Sequence, residues 1–209
     1  MSRTHAVLLA EGMLLFLGIP LLYYREIVPL PKIPALLLIA VYCGFQLWRD
    51  PNFDARLFAI RNSRNAGSKI FNRLPVVLVA LFLLIRLFKP NYLFVFPVEQ
   101  PVEWMVVMML YPLFSALPQE LIYRTYFFYR YRPLMSGKYA AVITSALLFS
   151  FLHIVYDNWW AVGLSFVAGI LFGITYLRTQ SLFWVSVEHV LYGWLVFTLG
   201  FGPFFYEPL

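Results

Sequence analysis

The sequence predicts an all-α, polytopic membrane bundle, and three observations carry that prediction. Residues are 62% hydrophobic and only 12% charged, against about 25% charged in soluble domains. Apolar runs of nearly helix-spanning length follow one another so closely that 209 residues leave no room for a separate soluble domain. Basic residues gather in one polar linker, as they do on the cytoplasmic side of membrane proteins.

Taken in order, the first predicted span is His5 to Tyr24, preceded by Arg3. It is too long for the apolar region of a secretory signal and has no small-x-small cleavage site, so it reads as a retained helix. Lys32 to Trp48 and Leu74 to Phe88 follow, both near the short limit of about 17 apolar residues. The fourth span begins at Val102 and runs into "PQELIYRTYFFYRYR", Pro118 to Arg132. Tyr139 to Tyr156, Trp159 to Leu177 and Ser181 to Gly200 complete about seven spans in a single domain, 1–209. The lone Cys43 excludes an intramolecular disulfide and a cysteine metal cluster, and reads as a small core hydrophobe.

The linker 49–73 holds Arg49, Arg56, Arg61, Arg64, Lys69 and Arg73 against Asp50 and Asp54. With the N-terminus in the cytoplasm, Arg3, Arg130, Arg132, Lys138 and Arg178 fall on the same side, so the expected topology is N-in, C-out. The net charge of +6 is then accounted for by a basic surface beside anionic lipid, and nothing resembles a nucleic-acid module. The linker fits a short interfacial amphipathic helix, with Phe53, Leu57, Phe58 and Ile60 toward lipid and a turn at Asn65 to Gly67; an ordinary loop fits as well.

Ionisable residues inside spans cost at least about 2.5 kcal/mol each and usually face a partner or a cavity. The candidates are Glu11, Glu120, Arg124, His153, Glu188 and His189, with Glu11 and Glu188 having no evident partner in sequence. At about 1.5 Å of rise per residue, Glu120, His153 and His189 lie roughly 18, 21 and 12 Å from the proposed cytoplasmic ends of their helices. That count assumes straight helices, and Pro112 and Pro118 put the assumption in question for the helix of Glu120. A break at Pro118 would open backbone groups toward a wet cavity.

Glu120 and Arg124 are four apart and share a helix face, as do Phe149 and His153. An ion pair that only locks helices, and histidines that only pack, explain these residues individually. Together, an acid and two histidines on three helices suffice to activate water, or to bind a divalent metal.

The order Glu-x-x-x-Arg, Phe-x-x-x-His, then a His in the last helix resembles the CPBP family of intramembrane proteases, which includes the type II CAAX prenyl endopeptidases and bacteriocin-processing or self-immunity proteins. The likeness covers about Pro118 to Gly193. It implies an intramembrane endopeptidase acting on a peptide or protein substrate within the bilayer, expected in the plasma membrane of a prokaryote. Prenylation of that substrate is not implied.

The family's first motif is Glu-Glu-x-x-x-Arg, and here it reads Gln119-Glu120-Leu121-Ile122-Tyr123-Arg124. The resemblance gives the leading acid the role of water activation, and glutamine cannot accept a proton at neutral pH. His153 is implied to bind or activate water. The third motif, His-x-x-x-Asn or a similar polar residue, appears as His189 to Gly193, and Gly193 has no side chain to stabilise an oxyanion. The expected catalytic set is therefore Glu120, His153, His189, Arg124 and Gln119, with Glu120 as base and the Gln119 amide as a polar stabiliser. No cofactor is required, although Zn²⁺ held by Glu120, His153 and His189 stays open. Two other readings remain: a scaffold that binds peptide or lipid without cutting, and a haem or transport protein, which two histidines and intramembrane acids also allow.

Overall fold

The computed structural model describes residues 3–58 and 65–205, and every regular element among them is helical. Helix α1 runs through Arg3–Met13, a π-helical turn Leu14–Gly18 and Ile19–Tyr24. It is followed by α2 (Lys32–Arg49), α3 (Ala66–Phe88), α4 (Pro101–Arg130), α5 (Lys138–Tyr156, its last turn 3₁₀), α6 (Trp159–Thr179) and α7 (Leu182–Leu199). Six of these seven are long and apolar enough to cross a membrane by length and composition. The exception, α2, is an 18-residue helix with Lys32 at one end and Arg49 at the other. The exterior is apolar to match: Trp48, Val76, Leu87 and Met109 are among many large hydrophobics that point outward, a surface suited to lipid.

Helix α4 is the centre of the bundle. It is not broken at Pro118. A π-helical turn, Pro112–Ala116, precedes the short α-helical piece Leu117–Glu120, and a second π turn, Leu121–Tyr126, follows it. Proline lacks an N–H and crowds the carbonyl four residues back, and the wider π turn absorbs both defects. Accordingly the Leu117 N–H donates to the Pro112 carbonyl five residues back. Glu120 thus lies between two π turns, a backbone feature often found at functional sites.

Around α4 the neighbours are fixed by specific contacts. Phe16 of α1 meets Tyr123, Phe127 and Tyr131 edge-on at 5.3–5.6 Å. Cys43 of α2 is fully buried in the same core cluster, as a small hydrophobe would be. Helices α5 and α6 pack closest, because Gly169 and Gly173 present no side chain. A Cβ on Gly169 would lie 3.0 Å from the Ala146 Cα, and one on Gly173 3.0 Å from Val142 Cγ1. This is small-xxx-small packing of membrane helices.

The interfacial helix foreseen in the linker is not seen among the described residues: residues 50–58 hold a 3₁₀ turn, Ala55–Leu57, and residues 66–73 already belong to α3. Phe53 faces protein instead of lipid, with its ring 5.1 Å from Tyr129 and 5.3 Å from Phe58. Ile60, Arg61 and Arg64 lie outside the described residues. Asn65 adopts a left-handed conformation (φ 72°) and starts α3, while Gly67 is already helical.

Candidate active site

Glu120 and His189 come together across α4 and α7. His189 Nδ1 stands 2.7 Å from Glu120 Oε1, and a carboxylate only accepts, so Nδ1 carries the proton. The other carboxylate oxygen, Oε2, lies 3.3 Å from Arg124 Nε, and both side chains are completely buried. That pair is close but not aligned as a hydrogen bond, and Oε2 has no hydrogen-bonding protein partner. The Arg124 guanidinium is held from other directions too. It donates to the Gly169 carbonyl at 3.3 Å and to Ser145 Oγ at 3.5 Å, and it stacks over Phe149 at 4.7 Å. The glycine contact that lets α6 approach α5 therefore also brings in the carbonyl that holds Arg124.

His153 lies just beyond the last α-helical residue of α5 and folds back on it, Nδ1 donating to the Phe149 carbonyl at 2.8 Å. As with His189, that bond fixes the tautomer and leaves Nε2 as the acceptor. Both histidines flank one ring, Phe149, at centroid distances of 4.9 Å for His153 and 5.6 Å for His189. His189 is stacked on Phe172 from another side at 4.6 Å. Gln119 donates to Ser115 Oγ at 2.9 Å, and its Oε1 is buried without a protein partner. Gln119 and Glu120 thus each keep a buried acceptor oxygen with no hydrogen-bonding protein partner, a departure from the usual pairing of buried polar atoms.

All five expected residues, Gln119, Glu120, Arg124, His153 and His189, are buried in this region. Among the described residues no three His, Cys, Asp or Glu side chains are arranged to hold a metal ion, because Glu120 and His189 face each other and His153 turns to its own helix.

The two acids without a partner in sequence have one in space. Glu11 pairs with Arg130 at 2.9 Å and accepts from the Tyr126 hydroxyl. Glu188 pairs with Arg73 at 3.0 Å and accepts from Tyr192 at 2.8 Å. Sequence reasoning also missed Ser145, Phe172 and the Gly169 carbonyl. The Gly169-Ile-Leu-Phe-Gly173 spacing was the available signal for the last of these.

Residues 101–195 match the family model described as type II CAAX prenyl endopeptidase Rce1-like. This stretch of the chain is similar to that family. The matched region is α4 to most of α7, and it contains every residue of the site just described. The Rce1-like family is a protease family, which supports a peptidase in general, and the six long apolar helices support an integral membrane protein. Comparison with curated proteins gave no match, and comparison with solved structures gave none either.

Proposed function

We propose that this Rce1-like protein is an intramembrane endopeptidase whose proton acceptor is the Glu120–His189 pair. The observation that supports it is the 2.7 Å contact from His189 Nδ1 to Glu120 Oε1. Glu120 is fully buried, whereas His189 retains slight exposure, so water meets the imidazole first. Nε2 of His189 takes a proton from the attacking water, and the carboxylate stabilises the imidazolium that forms. Arg124 keeps the carboxylate oriented. His153 Nε2 accepts a second hydrogen bond from the water, and Gln119 offers its amide to the substrate. Glu120 thus remains essential, acting through His189.

The substrate is a peptide or protein segment that enters the bilayer, and the basic linker 49–73 faces the cytoplasm with the N-terminus. A reporter fused after Leu209 is expected on the opposite side, and a cytoplasmic signal overturns that topology. Cleavage of a peptide library by purified protein in lipid nanodiscs tests the activity. Wild type is expected to cut and Glu120→Gln to lose most of the rate, about 10²- to 10⁴-fold for a positioned acid or base. Equal cleavage by Glu120→Gln refutes the assignment. The glutamine at position 119 favours a second reading, a binding scaffold. That reading is the correct one when wild type cuts nothing and Gln119→Glu gains activity.

A further inference from the structure

A residue outside all three motifs stands at the site. Tyr111 ends the first α-helical section of α4, immediately before the π turn at Pro112. Its ring meets His189 edge-on at 5.9 Å and Phe197 at 5.3 Å. It also explains Gly193. A Cβ on that glycine would lie 2.3 Å from Tyr111 Cε1 and 2.5 Å from both Cζ and the hydroxyl oxygen. No side chain fits at 193 while Tyr111 is there, so the tyrosine occupies the space into which a residue at 193 would project.

Position 193 lies one helical turn after His189, on the same face. Standard bond lengths put the terminal amide atoms of an asparagine about 2.4 Å from its own Cβ. The Tyr111 hydroxyl oxygen lies at nearly the same radius from the Cβ position of residue 193, reaching it from α4 instead of α7. The phenol keeps its proton at neutral pH and is a good donor to a developing negative charge.

Resting on the peptidase reading above, we infer that Tyr111 is a catalytic residue, donating a hydrogen bond from its hydroxyl to the carbonyl oxygen of the scissile peptide as that oxygen becomes an oxyanion. The water oxygen bonds to the carbonyl carbon, and the water proton passes to His189 Nε2. The carbonyl π electrons move to the oxygen held by Tyr111. On collapse the carbon–nitrogen bond breaks, and the departing amine takes the proton back from His189. Tyr111 keeps its own proton throughout.

Tyr111→Phe preserves the ring and its packing, so its melting temperature is expected to equal that of wild type. Its kcat in nanodiscs is expected to fall about 10²- to 10³-fold, the loss typical of one oxyanion donor, with KM nearly unchanged. Wild-type kcat in Tyr111→Phe, while Glu120→Gln is inactive, overturns the role of Tyr111 and leaves the peptidase reading standing. Cleavage by Glu120→Gln at the wild-type rate overturns both. Exchange of the two positions provides a second arm. Gly193→Asn alone is expected to lower the melting temperature through the clash. Gly193→Asn with Tyr111→Ala is expected to restore it, and to exceed the kcat of Tyr111→Ala alone. A Gly193→Asn variant that melts and cleaves like wild type overturns the inference.

Discussion

Replacing Glu120 by glutamine should separate what the buried ion pair does for stability from what it does for chemistry. Glu120 and Arg124 are completely buried at 3.3 Å. Removing one charge of such a pair strands the other, which typically costs about 3–5 kcal/mol. The stranded guanidinium keeps the Gly169 carbonyl, Ser145 and the Phe149 ring, which argues for the lower end, about 3 kcal/mol. At a few degrees per kcal/mol for a chain of this size, the melting temperature should drop by on the order of 10 °C. Adding Arg124→Met removes the stranded charge and keeps an unbranched side chain of similar reach, so the double variant should regain most of that loss. Cleavage should not return, because His189 still lacks a carboxylate to stabilise its protonated form. Circular dichroism melting in detergent, with peptide cleavage on the same preparations, reads both quantities. A double variant that melts no higher than Glu120→Gln refutes the idea that a stranded charge is the cause.

Three further outcomes follow from the geometry. Changing His153 to Asn removes Nε2 together with ring contacts to Phe149, Tyr156 and Phe205, so kcat should fall about 10²- to 10⁴-fold, far more than the modest drop in melting temperature accounts for; lost stability with full cleavage would make His153 a packing residue. Gly173→Ala should destabilise by about 1–3 kcal/mol through overpacking against Val142, and Val142→Ala should relieve it in a melting experiment on the pair. Glu11→Gln loses a charge partner for Arg130, whose side chain is 35% exposed; solvent screening limits the loss to about 1 kcal/mol or less, and cleavage should be unchanged.

The parts of this molecule that were legible in sequence are those in which the physics is local. Spans declare themselves by apolar length, and Glu120 with Arg124 by a four-residue spacing on one helix. Phe149 and His153 are legible in the same way, and in the structure the spacing brings their rings to 4.9 Å. The π turns of α4 were not legible, because Pro112 and Pro118 announce a disturbed helix without saying whether it breaks or widens. Phe53 was misread for a related reason. An aromatic residue in a basic linker suits lipid, and only the tertiary placement of Tyr129 shows that it packs against protein. Gly193 reads in sequence as a missing polar group. In space it is the gap that admits Tyr111, a residue in a different helix that no spacing rule connects to it.

The three acids inside the spans differ in ways that favour Glu120 over its neighbours as the proposed site. Each is paired with an arginine, so an ion pair by itself does not distinguish them. Arg130 and Arg73 keep side-chain exposures of 35% and 28%, Arg130 at the end of α4 and Arg73 two turns into α3, so both guanidinium groups stay partly open as long basic side chains can. Their carboxylates also accept from tyrosine hydroxyls, Tyr126 for Glu11 and Tyr192 for Glu188. Those clusters tie α1 to α4 and α3 to α7. Arg124 has no exposure at all, and its acid meets an imidazole instead of a phenol. A phenol gives up its proton only near pH 10, whereas an imidazole exchanges one near neutrality. Of the three pairs, only Glu120–Arg124 is thus coupled to a group able to shuttle a proton under physiological conditions, with a second histidine against the same phenylalanine. Arginines at the outer two pairs are therefore expected to tolerate replacement by lysine in a cleavage assay, since a snorkelling ammonium can still reach the acid. Arg124→Lys should not be tolerated: an ammonium cannot contact Glu120, Ser145 and the Gly169 carbonyl with the fixed fork of a guanidinium. Full cleavage by Arg124→Lys would reduce that pair to the same structural role as the other two.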